Sequence, residues 1–282
     1  MRSVCLNLDV HCIHLAALAK INAVVFAFSR MCKFFLSTSR NPKKKRKVFS
    51  LSIPKYLQEW EENSTFAVEL PLLPYMKTEI LPQESSRAEA FDLWMSSPVP
   101  MVTFIKTLNV SRLVKISKRR DMKFNMLMCW CIGKAASEIE EFNTLPVGKK
   151  LFHYDELAVN VIVKNCEGGI DSCDVPFMED LSQFNQQYLQ LTKQAAESCT
   201  STAMENSMVI GTSAMIQTEL DGIVNQYSGL FNNPFLAWGK YKRRLFKTKL
   251  PVSLQFHHVQ MDGAQAALFL EKVQQEIDEL PF

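Results

Sequence analysis

The sequence predicts an α/β fold, a two-layer sandwich in which helices pack on a mixed β-sheet. Three observations predict it. From Met76 to the C-terminus, segments of period-two alternation are separated by segments of helical periodicity. Hydrophobic residues make up 47% of the chain, which is the content of a protein that buries a core and excludes disorder of the whole. No internal repeat and no low-complexity linker interrupts residues 76–282, so they read as one domain.

The elements follow in order. "SSRAEAFDLWMSS" is a short helix, with Ser85 or Ser86 as its N-cap. "PMVTFIKTLNV", Pro100 to Val110, alternates as a strand, and "VSRLVKISKRR", Val110 to Arg120, returns as a helix with a basic end. "FNMLMCWCIGKAASEIEEF", Phe124 to Phe142, is apolar nearly all round in its first half, which marks a buried helix. Its Met and aromatic residues are core filler. "ELAVNVIVKN" is a period-two strand, "MEDLSQFNQQYLQLTKQAAES" a polar amphipathic helix, and "PVSLQFHH" a further strand. "GAQAALFLEKVQQEIDEL" closes the chain as a helix with Ala267, Leu270, Val273 and Ile277 on one stripe.

Charge and cysteine usage narrow the function classes. Residues 1–75 carry 11 Lys+Arg against 5 Asp+Glu, whereas residues 76–282 carry 21 against 24. The basic excess therefore stops before the domain, and a nucleic-acid partner is not expected for it. Eight cysteines at irregular spacings, in a chain too long to need staples, read as reduced thiols of a cytosol-like compartment. Cys166 and Cys173 lack a second closely spaced Cys/His pair, so no metal is expected there.

The first quarter has a different texture. "IHLAALAKINAVVFAFSRMCKFFL", Ile13 to Leu36, is broken by Lys20, Asn22, Arg30 and Lys33, so its longest clean run, Ala23 to Ser29, is far short of a membrane span. No small-x-small site follows it, and its basic residues come after the apolar core, unlike a secretory signal. "PKKKRKV", Pro42 to Val48, is similar to a monopartite nuclear-import signal of the viral large-T-antigen type, and equally to an ordinary solvated charge run. Residues 1–75 are expected to be an extension outside the fold. The expected location is cytoplasmic, with nuclear import only where 42–48 is expressed in a eukaryotic host.

The chemistry concentrates in "LQFHHVQMDG", residues 254 to 263. A strand ends in His257 and His258, and Asp262 with Gly263 opens the last helix. For Asp-Gly the plain reading is an N-cap and a tight turn. Two imidazoles at the mouth of a buried strand need partners to offset their burial, and imidazole is the side chain that titrates near neutrality. A metal would need a third ligand, and His153, the remaining histidine of the region, stands in no recognisable spacing to the pair.

"HHVQMDG" fits the His-His-x-x-x-Asp-Gly signature of acyl-CoA-dependent acyltransferases, and the order of elements resembles the chloramphenicol acetyltransferase family. "SSRAEAF" is similar to that family's Arg-containing N-terminal helix, "FNTLPVGKKLFHYDELAVNVIV" to its central hairpin, and "WGKY" to its Gly-Lys-Tyr element. "LPVSLQFHHVQMDGAQAALFLEKVQQEIDEL" follows its strand, active-site loop and terminal helix, so the resemblance runs from Met76 to the C-terminus.

The resemblance implies a fold of the CoA-dependent acyltransferase type and an O-acetyltransferase using acetyl-CoA as cosubstrate. A small-molecule hydroxyl, with chloramphenicol as one candidate, would be the acceptor. It implies His258 as general base, with its second ring nitrogen held by its own backbone carbonyl. Arg87 and Asp262 would form an ion pair that braces the loop. Ser213, with Thr212 as the alternative, would be the oxyanion donor; the family's Pro-Trp beside that donor is absent here. Tyr241 would lie against the adenine of CoA or serve as plain packing. A homotrimer with clefts between neighbours, no metal and no membrane partner complete the expectation. Two other readings stand beside it: another acyltransferase of the same superfamily, such as a dihydrolipoyl acyltransferase domain, and a nuclear or nucleic-acid-associated binding protein built around the basic heptad.

Overall fold

β10 (Thr248–His257) is the strand around which the domain is organised. It pairs antiparallel with β2 (Met101–Asn109) on one side and with β8 (Phe235–Gly239) on the other. The computed structural model describes residues 77–281, position 228 excepted. Residues 1–75, Met76 and the heptad Pro42–Val48 lie outside the described residues. All described residues fall in one unit, Leu72–Phe282.

β8 continues in parallel pairing to β7 (Met208–Met215), which pairs parallel with β5 (Leu157–Lys164); β6 (Ile170–Pro176) closes the edge antiparallel. The two-residue β9 (Lys242–Arg243) pairs β10 and completes a seven-stranded mixed sheet. A second, three-stranded antiparallel sheet joins β1 (Thr78–Ile80), β4 (Lys150–His153) and β3 (Thr144–Val147). The β3–β4 hairpin closes between Val147 and Lys150, and Gly148 takes φ 61°, a left-handed value that a side chain would oppose.

The helices are α1 (Ala88–Trp94), α2 (Ser111–Arg119), α3 (Phe124–Ser137), α4 (Leu181–Ser198) and α5 (Gly263–Glu279). Alternate residues of β10, namely Leu250, Val252, Leu254 and Phe256, join α3 and α5 in the apolar core. The opposite alternation, Ser253, Gln255 and His257, is buried too, under a covering segment: Ile223 N–H donates to Ser253 Oγ at 2.8 Å and Gln255 Nε2 donates to the Asn225 carbonyl at 2.9 Å. A mixed sheet with packed helices is therefore the architecture, as the sequence predicts. Among the described residues no helix is long and apolar enough to cross a membrane.

Several details differ from expectation. Neither Ser85 nor Ser86 is the N-cap of α1; Arg87 is, while Ser85 Oγ accepts from the Arg87 N–H at 3.2 Å and donates to Pro82 O at 2.7 Å. α3 ends at Ser137 instead of running to Phe142. The break lets Ile139 and Phe142 both enter the core, Phe142 against Phe269 with ring centroids 4.6 Å apart. On α5 the buried stripe is Ala266, Phe269, Leu270, Val273 and Ile277, so Ala267 lies about 100° off it and is exposed. Gly263 adopts no left-handed φ; its small size instead admits the Phe104 ring, whose Cζ would lie 3.2 Å from an added Cβ.

Candidate active site at the end of β10

Pro100 decides where the β10–β2 ladder stops and what His258 is offered. The last rung pairs His257 with Met101, and His258 N–H donates to the Pro100 carbonyl at 2.8 Å. Pro100 has no N–H to return, so the His258 carbonyl is left for another donor. Arg87 supplies it through Nη2 at 2.9 Å.

The Arg87 guanidinium binds the whole turn. Its Nε donates to the Val259 carbonyl at 2.8 Å, while Nη1 and Nη2 reach Asp262 Oδ2 and Oδ1 at 2.7 and 2.9 Å. The side chain of Arg87 is 9% exposed and that of Asp262 49%, so the fork is buried at one end and wet at the other. Such bidentate pairing is stronger and more directional than a single charge contact. It holds the Asp262 carboxyl below its ordinary range, chiefly through the Arg87 hydrogen bonds, against some opposition from burial. Asp262 is also the N-cap of α5, and its own N–H donates to Gln265 Oε1 at 3.2 Å. One arginine thus ties α1, the turn after β10 and the start of α5 together.

His257 and His258 occupy different environments. His257 is 1% exposed, and its Nδ1 accepts the Val259 N–H at 3.1 Å, which places the ring proton on Nε2. Burial first, and the neighbouring His258 second, push its pKa down to about 4. An unfolded chain would take up that proton near pH 6.5, so His257 favours folding above this value and the benefit is lost as pH falls toward about 4. Stability is expected to drop by about 3 kcal/mol over that window. Urea unfolding from pH 7 to pH 4 reads the drop, and His257→Gln should flatten it; an unchanged slope in the variant overturns the assignment.

His258 is 27% exposed in its side chain and open to a ligand. Its Nδ1 is buried and is not hydrogen-bonded to its own carbonyl, as the resemblance implied; it lies 3.2 Å from Asp262 Oδ1 without hydrogen-bond geometry. The carbonyl is instead the one that Arg87 holds. Trp94, the last residue of α1, was not singled out in the sequence. Its ring is stacked on the His258 imidazole, with centroids 4.6 Å apart and planes 6° from parallel. An aromatic face fixes the imidazole plane and favours a positive charge that forms on it. Trp94→Leu is therefore expected to free the imidazole plane, read as a shift of the His258 ring resonances by NMR, and Trp94→Phe to restore most of it. Unchanged His258 resonances in Trp94→Leu would overturn this positioning role.

Other sequence candidates are scattered over the sheet. The Thr212 hydroxyl donates to the Asn160 carbonyl at 2.7 Å, and the residue is buried beside Cys129 Sγ on the core side. Ser213, next along β7, points to the opposite side, is half-buried and pairs with Ala237 of β8. Tyr241 packs at the core margin, its ring 5.3 Å from that of Phe124 and 5.9 Å from the Arg243 guanidinium. Neither Ser213 nor Tyr241 is brought to the His258 ring within this chain by any of these contacts. His153 sits on β4, 3.5 Å from Asp155, apart from the pair. Among the described residues no group of three or more His, Cys, Asp or Glu is arranged to hold a metal ion. The five described cysteines are free thiols; Cys129, buried, is pushed up to about 12 by desolvation.

A cavity of about 740 Å³ opens on the sheet face that carries His257. Met101, the rung partner of His257, and Gln255, two residues before it, both line it, with Asn160, Asp174, Asn225 and Phe235. The volume is that of a small-molecule site.

Residues 76–274 match the family model described as chloramphenicol acetyltransferase. The chain belongs to that family. A curated chloramphenicol acetyltransferase of Bacillus pumilus is 23% identical over 190 residues, which cover 66% of this chain and 86% of that protein. A solved chloramphenicol acetyltransferase superposes with a TM-score of 0.61 at 20% identity, over 72% of this chain and 100% of the other. Dihydrolipoamide acetyltransferase of Azotobacter vinelandii follows with a TM-score of 0.53 at 15% identity, over 83% and 98%. The cubic core of a pyruvate dehydrogenase multienzyme complex gives 0.52 at 13% identity, over 84% and 94%. The fold is thus of the CoA-dependent acyltransferase type, and the strand-end histidines, Arg87 and Asp262 all fall inside the family match.

Proposed function

We propose that the chain is an acetyl-CoA-dependent O-acetyltransferase that acetylates a hydroxyl of a small acceptor, with His258 as general base. The observation that carries this reading is the setting of His258: a half-open imidazole, stacked on Trp94, on a turn clamped by Arg87 and Asp262. Nε2 takes the acceptor's hydroxyl proton as that oxygen attacks the thioester carbonyl. The tetrahedral oxyanion collapses, the C–S bond breaks, and the CoA thiolate recovers the proton from the imidazolium. No acyl-enzyme and no metal takes part. Ser213 is the oxyanion donor we favour, because the Thr212 hydroxyl is already committed to Asn160.

The contacts described for Ser213 and Tyr241 do not include His258, which favours a homotrimer whose neighbours complete the cleft, with Tyr241 beside the CoA adenine. Chloramphenicol is one candidate acceptor, and the working location is cytoplasmic. Release of free CoA thiol from acetyl-CoA, with and without hydroxylated acceptors, tests the reading; absence of acceptor-dependent release at all concentrations overturns it. Dihydrolipoamide belongs in the acceptor panel, since solved dihydrolipoamide acetyltransferases share the fold.

The domain is proposed to begin near Met76, where the family match begins. A chain lacking residues 1–75 is expected to keep both its assembly and its acetyl transfer, read by light scattering and thiol release. A truncated protein that is folded yet inactive would show that the extension contributes to the site.

A further inference from the structure

We propose that the cavity on the β10 face lined by Met101 and Gln255 selects an acceptor bearing a protonated amine as well as its hydroxyl, and that Asp174 is the residue that selects it. The inference deepens the acetyltransferase reading and rests on it; chloramphenicol, which carries no basic amine, is by this inference a poor acceptor and the amine-bearing alcohols are preferred over it.

Asp174, on β6, is 6% exposed and lines the cavity. Its Oδ1 accepts from Asn160 Nδ2 at 2.7 Å and its Oδ2 from the Met204 N–H at 2.8 Å. Both donors are neutral. Two neutral hydrogen bonds leave a buried carboxyl group with spare lone pairs and no ion-pair partner among the described residues. Lys77 is the cation among the lining residues, and its ammonium sits over the Phe152 and Tyr154 rings, 4.3 and 6.0 Å from their centroids. A buried carboxylate of this kind is tolerated where a ligand supplies its partner.

A second observation points to a ligand independently. Asn225 lines the same cavity, and its Nδ2 is buried with no hydrogen-bond partner. Its backbone carbonyl is fixed by Gln255 Nε2 at 2.9 Å, which holds the main chain of Asn225 beside the cavity, so that a small turn of its side chain is enough to offer the unsatisfied amide to an occupant. An occupant that presents a lone pair to Asn225 and a cationic N–H to Asp174 satisfies both groups. A hydroxylated amine has those two features. Met101, Phe231 and Phe235 supply apolar walls for its carbon frame.

The reason for keeping Asp174 is not its backbone contact alone. Asparagine at 174 would still accept from the Met204 N–H, and a flip of the Asn160 amide would restore the side-chain bond. Asp174→Asn therefore removes the charge and keeps the hydrogen bonds.

The test uses the full chain, acetyl-CoA, and pairs of acceptors: aromatic alcohols with a tertiary amine, which form no stable N-acetyl product, and their isosteres with carbon in place of nitrogen. Thiol release gives kcat/KM, and thermal melting gives binding without turnover. Wild type is expected to prefer the cationic member at least tenfold, and Asp174→Asn to bring the ratio near one. Equal use of both members by wild type overturns the inference and leaves the acetyltransferase reading standing. Absence of transfer to any acceptor, with a melting shift from the cationic members alone that Asp174→Asn abolishes, overturns the acetyltransferase reading and supports the cavity's selectivity. Neither transfer nor a melting shift overturns the inference. Should Asp174→Asn not fold, the wild-type ratio decides alone.

Discussion

His258→Ala is expected to lower acetyl transfer about a thousandfold or more while the domain stays folded. A positioned base contributes on the order of 10² to 10⁴ in rate, and the side chain's loss also empties the Trp94 stack that orients it. His257→Ala should act in the opposite way: His257 is 1% exposed and its Nδ1 is occupied by the Val259 N–H, so its removal opens a buried space and weakens the fold more than the chemistry. Steady-state thiol release and thermal melting on both variants separate the two roles. An essential His257 beside a dispensable His258 would reverse the assignment of the base.

Breaking the Arg87–Asp262 pair should have the largest effect on stability. Removing one partner of a fully buried pair costs about 3 to 5 kcal/mol. Here Arg87 is buried but Asp262 is half-exposed, and two backbone carbonyls still face the guanidinium after Asp262 is gone, so Asp262→Asn is expected to cost about 2 kcal/mol. Arg87→Ala should cost more, because it also orphans the carbonyls of His258 and Val259. Both variants should lose activity beyond their loss of stability, since the same fork positions the turn that presents His258. The pair favours folding above the carboxylate's unfolded range and loses this as pH falls through the lowered folded value. Chemical denaturation at neutral pH and again in mild acid checks both statements: Asp262→Asn should differ from wild type at neutral pH and approach it in acid.

Legibility varied with what each residue's neighbours are. β2, β5 and β10 announced themselves because alternation or apolar runs survive in them, and α3 because nearly every residue from Met126 to Gly133 is buried. β6, β7 and β8 were not read as strands. β6 carries Asp171, Ser172 and Asp174 in a seven-residue strand, β7 has Gly211 in its middle, and β8 is five residues long, so none shows a clean period. Of the small β1–β4–β3 sheet, the hairpin was legible only through the resemblance of "FNTLPVGKKLFHYDELAVNVIV" to the family's central hairpin, and the edge strand not at all.

By itself the sequence determined the α/β class, the strand-to-helix position of His257 and His258, and the spacing that sets Asp262 four residues beyond His258. Those are local facts, written in side-chain period and in one short motif. Only the tertiary structure decided that Arg87 grips the turn in four hydrogen bonds across 171 to 175 residues of chain, and that Trp94 lies flat on His258. It likewise decided which hydroxyl of Thr212 and Ser213 is committed to the core, and that a buried carboxylate faces an open cavity. Contacts between residues distant in sequence depend on how the sheet brings its strands together, and a missing N–H at Pro100 acquires meaning only once β2 lies beside β10.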